Sequence, residues 1–141
     1  MDAIDQKLIL ALQENGRAST AYLARLVSRS RTSVQSRIER LEKQGVIVGY
    51  SVRLAPEHGL GAVRAHVMIK VGAKETRAVA AALRTIEQVR VLHSVSGEVD
   101  LIAVAATASV AEMDQVIDRI GALDGVERTT SSIILSTKFE R

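Results

Sequence analysis

The sequence predicts an α+β chain of two units: an N-terminal winged helix-turn-helix, then a βαββαβ unit built on one antiparallel sheet. Three observations predict it. Apolar residues recur at helical spacing through the first third, whereas the rest mixes helical spacing with strict alternation in the order β-α-β-β-α-β. Charge divides unevenly, residues 1–53 summing to +4 and residues 54–141 to −1. The chain's one proline, Pro56, stands between the two patterns with Gly59 and Gly61 close behind, a linker composition. The expected organisation is therefore a helical unit at 1–53, a linker at 54–61 and a sheet unit at 62–141.

Each helix of the first unit carries its own start and stop. In "DAIDQKLILALQENG", Asp2 caps, Asp5 favours the positive end of the helix dipole, and Ile4, Leu8, Ala11 and Leu12 share one face. Asn15-Gly16 ends it. "STAYLARLV" opens on Ser19 or Thr20 and turns Leu23, Leu26 and Val27 inward, while the small Ala24 admits a neighbouring helix. After Ser28 and Arg29, Ser30 caps a third helix whose apolar seam is Val34, Ile38 and Leu41 and whose end is Gly45. Helices joined by so short a turn cross steeply, as in a helix-turn-helix. "VIVGYSVRL" then alternates well enough for a strand or wing, with Gly49 allowing a bend.

The third helix needs only its seam to pack, yet its outer side carries arginines and short polar side chains. From residue 17 to residue 40 there are six arginines and one acid, Glu39. Such a face suits double-stranded DNA: hydroxyl and amide groups reach base edges, and guanidinium groups clamp phosphates or pair with guanine. The candidate DNA-binding residues are Arg29, Ser30, Arg31, Thr32, Ser33, Gln35, Ser36, Arg37 and Arg40. Arg37 and Arg40 lie off the seam, so neutralising them is expected to weaken DNA binding and leave the fold intact.

In the second unit, "AVRAHVMIKV" sets Val63, Ala65, Val67, Ile69 and Val71 against Arg64, His66, Met68 and Lys70, a strand with one buried face. "KETRAVAAALRTI" is helical, with Val79, Leu83 and Ile86 in register. "VRVLHSV" and "DLIAVAA" form a hairpin that turns at Gly97. "SVAEMDQVIDRIGAL" opens with a Ser109/Glu112 capping box and buries Met113, Val116, Ile117 and Ile120. Asp124-Gly125 leads into a last strand, "VERTTSSIILSTKF". This order gives one sheet with both helices on one face. The other face must be polar, bind something, or pack on a second copy. Stacking of RNA bases there is disfavoured, because the aromatics are limited to Tyr22, Tyr50 and Phe139 and neither central strand holds one.

Other chemistries find little support. Hydrophobic residues make up 47% of the 141 and charged residues 25%, a globular balance. No apolar run approaches the ~18 residues of a membrane span, and Asp2 and Asp5 stand where a secretory leader carries lysines. The expectation is a cytoplasmic protein with no membrane partner. The absence of cysteine excludes disulfides, thiolate metal sites and a cysteine nucleophile. His58, His66 and His93 have no partner at metal-ligand spacing, and the hydroxyls at 94, 96 and 129–132 have no nearby base. No catalytic residue, metal or cofactor is expected.

In order and spacing, "IDQKLILALQENGR", "LARLV", "VQSRIERLEKQGVIVGY", "VSGEVDLI" and "LDGVERTTSSIIL" resemble the Lrp/AsnC family of bacterial and archaeal transcriptional regulators over the whole chain. The resemblance implies a ferredoxin-like βαββαβ effector and oligomerisation domain, related to amino-acid-sensing modules. It also implies homodimers that often assemble into octamers, with effectors, frequently amino acids, bound between dimers near the hairpin. Where the family commonly has Gly-Leu-Ser-Pro-Thr, this chain has Ser28, Arg29, Ser30, Arg31 and Thr32. Where members often carry an aromatic on the last strand, it has Ser131 and Ser132.

The residues expected at the effector site are Gly97, Glu98, Val99, Asp100, Ser131, Ser132 and Ile133. Asp100 or Glu98 would take an ammonium, and backbone N–H groups at the turn would take a carboxylate. On local sequence alone, Asp100 is more readily a turn residue bonding its own hairpin; the family resemblance reverses that order. The function expected is a DNA-binding regulator that responds to a small effector. The alternative is an amino-acid-sensing module acting on a protein partner without DNA.

Overall fold

A computed structural model describes residues 1–55, 58 and 61–139. The chain divides into two compact units, Met1–Arg53 and Leu54–Arg141.

The first unit is three helices, α1 (Ala3–Glu14), α2 (Thr20–Val27) and α3 (Arg31–Lys43). Its core gathers Leu8 from α1, Leu23, Ala24 and Val27 from α2, and Val34 from α3, with Ile4, Ala11, Leu12, Ala18 and Ile38 half-buried around them. Leu41 is also buried. The expected apolar faces are therefore the packed ones, with one correction: Leu26 is 44% exposed and the small Ala24 takes the inward place. Ala24 keeps α2 close to its neighbours, whereas a leucine at the same height would hold them apart.

The expected wing is absent. Among the described residues after α3 none forms a strand before residue 63. Val46, Val48, Tyr50, Val52 and Leu54 do alternate, but all are exposed, Val48 at 94%. Alternation marks a face that could be buried; a strand also needs a partner strand for its N–H and C=O groups, and no strand pairs with this segment among the described residues.

The second unit runs β1 (Val63–Val71), α4 (Thr76–Arg84), β2 (Val89–Ser94), β3 (Leu101–Thr107), α5 (Val110–Gly121) and β4 (Val126–Ile133). The four strands lie in the order β2-β3-β1-β4, every neighbouring pair antiparallel. Ala65, Val67, Ile69 and Val71 of β1 and Leu101, Ala103 and Ala105 of β3 meet Val79 and Leu83 of α4 and Met113, Val116 and Ile120 of α5 in one core. The alanines at the centre of this face let both helices seat closely on the sheet. Ile117, expected inside, is half-buried at the margin. The last strand stops at Ile133 rather than reaching Phe139. Beyond it Ile134 N–H still donates to Arg64 O, 2.8 Å, but Leu135 is 95% exposed.

Gly125 closes the turn into β4. Its φ is +91°, and a Cβ there would stand 2.9 Å from Glu75 Cβ and 3.0 Å from Val79 Cγ2, so glycine is required for backbone and space alike.

Candidate nucleic-acid interface and effector site

The turn between α2 and α3 is built by local hydrogen bonds. Ser19 Oγ accepts from Tyr22 N–H at 3.1 Å and starts α2; Ser30 Oγ accepts from Ser33 N–H at 3.2 Å and starts α3. Between them Ser28 adopts the left-handed conformation, φ 52° and ψ 52°, and Arg29 N–H closes α2 by donating to Ala24 O at 3.0 Å. A serine with a Cβ is held where glycine sits without strain. Arg29 Nη1 donates back to Ser28 O at 3.0 Å.

Around this turn lies an open depression of about 830 Å³, bordered by Arg25, Ser28, Arg29, Ser30 and Arg31. Arg25 was not among the candidates from sequence. It sits on α2, and only the turn's fold brings it beside Arg29 and Arg31. Arg25 and Arg31 form no ion pair among the described residues. Along α3, Thr32, Gln35 and Ser36 are exposed and Ser33 is half-buried; Gln35 Nε2 donates to Glu39 Oε1 at 3.0 Å. A helix start ringed by three guanidinium groups, with short polar residues behind it, is a cationic edge against which a polyanion can lie.

The other two arginines are placed differently. Arg37 Nη1 donates to Asp2 Oδ2 at 2.7 Å and Asp5 Oδ1 at 2.8 Å; Arg40 Nη2 donates to both Asp5 oxygens, at 3.1 and 2.9 Å. Asp5 is only 1% exposed. The acids are themselves linked, since Asp2 Oδ1 accepts from Ile4 and Asp5 N–H while Asp5 Oδ2 accepts from Asp2 N–H. The Asp5 backbone N–H, with Arg37 beside it, holds the Asp2 carboxyl down at about 2. Asp5 is lowered by the Asp2 N–H and Arg37, against the opposing effect of burial. Asp2 and Asp5 in turn raise Arg37. This corrects the expectation that Arg37 and Arg40 can be neutralised without touching the fold: they are the counter-charges of a buried carboxylate.

In the second unit, the hairpin is stitched to the end of β1. Asp100 N–H donates to Ile69 O at 3.0 Å, and Asp100 Oδ2 accepts from Val71 N–H at 2.9 Å, where the β1–β4 register shifts between Lys70 and Val71. Lys70 Nζ donates to Glu98 O at 3.2 Å. The Asp100 side chain thus bonds the neighbouring strand, while its carbonyl accepts from Val95 N–H across its own turn at 3.0 Å. Gly97 has φ +112° with open space around it, Glu98 is exposed, and Val99 is half-buried. Ser131, Ser132 and Ile133 pair with Val67, His66 and Ala65. They lie on the far side of β1 from the hairpin and about 13 Å further along it, at ~3.3 Å per residue. One chain does not bring the two groups together. A hollow of about 410 Å³, bordered by Glu87, Arg90, Thr107 and Glu112, lies at the opposite end of the sheet from the hairpin.

Residues 64–141 match the Lrp/AsnC ligand binding domain, and residues 1–42 match the AsnC-type helix-turn-helix domain. The chain belongs to the Lrp/AsnC family. Among its relatives, the HTH-type transcriptional regulator LrpA of Mycobacterium tuberculosis is 36% identical over 140 residues, which cover 99% of this chain and 93% of the relative. The feast or famine regulatory protein of M. tuberculosis complexed with L-methionine superposes with a TM-score of 0.86 at 35% identity, covering 99% of this chain and 95% of that one. A transcriptional regulator–L-Met complex from Neisseria meningitidis gives 0.89 at 27% identity, covering 99% and 93%. The expected α+β class and the family resemblance are upheld. In this Lrp/AsnC chain no group of His, Asp and Glu suited to a metal ion occurs among the described residues, and none of their helices is long and apolar enough to cross a membrane.

Proposed function

We propose that this Lrp/AsnC protein is a transcriptional regulator that binds double-stranded DNA through α2, α3 and the turn between them, without catalysis, and that its DNA binding or assembly responds to an amino acid. The observation that carries the DNA reading is the depression ringed by Arg25, Arg29 and Arg31 at the start of a helix whose exposed side is Thr32, Gln35 and Ser36. Phosphate contacts fall to the arginines and base-edge contacts to the short polar side chains. The test is a mobility-shift titration with duplex DNA from the protein's own upstream region. Arg29→Ala and Arg31→Ala are expected to weaken binding and flatten the salt dependence by about one unit of log–log slope per lost phosphate contact. Undiminished binding by the double variant would move the interface elsewhere. If the protein shifts no duplex but binds an amino acid, the reading becomes a sensor acting on a protein partner.

The sheet's outer face supports a dimer. Val91, Ile102, Val104 and Met68 share that face across β2, β3 and β1, flanked by Arg64, His66, Lys70 and His93. No described residue of the second unit's helices packs there. A second copy seated by a two-fold axis would cover the strip and hold two reading helices a DNA turn apart; an octamer would need further contacts. A monomer by light scattering at micromolar concentration would refute this.

The amino-acid effector is proposed from the two L-methionine complexes. Glu98, which forms no ion pair among the described residues, suits the ammonium better than Asp100, one of whose oxygens already holds Val71 N–H. A thermal-shift screen of free amino acids, repeated with Glu98→Gln, tests it; equal stabilisation of both proteins would remove Glu98 from the site.

A further inference from the structure

The arginines of the DNA-facing region fall into two sets. Those at the turn face outward: Arg25 and Arg31 form no ion pair among the described residues, and Arg29 gives one N–H to a carbonyl. Those further along α3 are held from within. Arg37, its side chain 22% exposed, serves Asp2 and Asp5 together, and Arg40, 49% exposed, serves both oxygens of Asp5. Both remain near the surface, so a phosphate would compete for N–H groups that the two carboxylates already use.

The start of α1 does not by itself demand these two negative charges, although their pairing with Arg37 and Arg40 adds stability. Capping α1 needs an oxygen at residue 2, which asparagine supplies as well as aspartate. A buried ion pair contributes little beyond what an apolar residue of similar volume would give. The charges do act on DNA binding. Affinity for DNA of any sequence comes almost wholly from phosphate neutralisation, and each arginine withheld lowers it. A selected site is docked by base contacts, so its phosphates need not fall within reach of Arg37 or Arg40. In a non-specific complex the protein shifts to wherever its charges meet phosphate.

We propose that Asp2 and Asp5 set the selectivity of this protein by withholding Arg37 and Arg40 from the DNA backbone, which holds down its affinity for DNA of arbitrary sequence. The proposal rests on the first unit being the DNA-binding one.

The experiment compares the full-length protein with its Asp2→Asn variant, which keeps the capping oxygen and loses the charge. Binding is followed by fluorescence anisotropy against a mixed-sequence duplex and against a duplex selected from a random library by the wild-type protein. For each arginine released to phosphate, the log–log salt slope on the mixed duplex should steepen by about 0.9, so the affinity lost between about 50 and 200 mM salt grows about 3.5-fold. The selected duplex should gain less, narrowing the preference for it. Asp5→Asn, with its folding confirmed by circular dichroism, should show the larger change because both arginines lean on Asp5. An unchanged slope in both Asp2→Asn and folded Asp5→Asn overturns the proposal; both are needed, since Asp5 alone still bonds both arginines in the first variant. Parallel weakening on both duplexes also overturns it and would make the acids structural only. Failure of the wild-type protein to bind either duplex would instead bring down the DNA-binding reading, before any variant is compared.

Discussion

Removing Arg37 should destabilise the first unit through Asp5, and the size of the effect follows from the contacts. Arg37→Ala deletes a charge-assisted hydrogen bond of 2.8 Å to a carboxylate that is 1% exposed, and another of 2.7 Å to Asp2, which is half in water. A hydrogen bond to a charged group contributes about 1.5–3 kcal/mol net. The Asp2 contact counts for little because solvent screens it. Arg37 is itself partly exposed and Arg40 remains to hold Asp5, so the single variant should lose about 1.5 kcal/mol. Arg37→Ala with Arg40→Ala strands a buried carboxylate and should cost about 3 kcal/mol, the lower end for a buried charge stripped of its partners. In an Asp5→Asn background the same removal of Arg37 should cost less than about 0.5 kcal/mol, so the coupling is about 1 kcal/mol or more. Urea unfolding followed by tyrosine fluorescence measures this, because both tyrosines, Tyr22 and Tyr50, lie in the first unit and the chain has no tryptophan. Additivity of the two substitutions within about 0.3 kcal/mol would show that Arg37 does not act through Asp5.

The remaining predictions concern other places in the fold. Asp2 and Asp5 have carboxyls lowered from 3.8, so the stability they contribute is fully present above that pH and is lost as pH falls through the folded values, about 2 for Asp2; acid titration of tyrosine fluorescence should show the loss, and Asp2→Asn should lessen it. Ser28→Gly should stabilise the first unit by roughly 0.5–1 kcal/mol by relieving the left-handed Cβ, and a lowered urea midpoint would refute the strain. Gly125→Ala should cost at least about 2 kcal/mol, combining an unfavourable φ with crowding against Glu75 and Val79, read by thermal unfolding. Asp100→Ala leaves Val71 N–H without its acceptor and should cost about 1–2 kcal/mol in the absence of any effector; no change in unfolding midpoint would show that the contact is dispensable.

Where the sequence was legible, the signal was local. Caps such as Asp2, Ser19, Ser30 and Ser109 act on N–H groups two or three residues away, so the starts of four helices could be placed by inspection. The alternation of 63–71 revealed a buried face because that face is covered within the same unit. The alternation of 46–54 carries the same signal without the same outcome, since no partner strand for it occurs among the described residues. Arg37 and Arg40 show the complementary failure. Taken alone, α3 assigns them to its solvent side, and their partners lie 32 to 35 residues earlier, at the start of a helix whose acids already had a sufficient local explanation as cap and dipole partner. Arg25 carries no such local signal, because its membership of the cationic ring is set by the fold of the turn and not by its spacing.

The placement of the proposed effector residues bears on how sensing and assembly are joined. Glu98 and Asp100 stand on the β3 side of β1 near Lys70, and Ser131 to Ile133 stand on its β4 side near His66. An amino acid must have its ammonium and carboxylate satisfied at adjoining positions, so it cannot touch both groups within one chain across about 13 Å of strand. The hairpin of one copy and the last strand of another can adjoin. If the site is shared in that way, the effector binds the assembled state and not the separate chains, and mass action ties the two: raising the effector to about 100 times its dissociation constant favours assembly by about 2.7 kcal/mol. Sedimentation at protein concentrations near the assembly midpoint, with and without the amino acid that stabilises the protein in the thermal screen, should show its addition driving smaller species into larger ones. A ligand that stabilises the chain equally at all protein concentrations would place its site within a single copy and separate sensing from assembly.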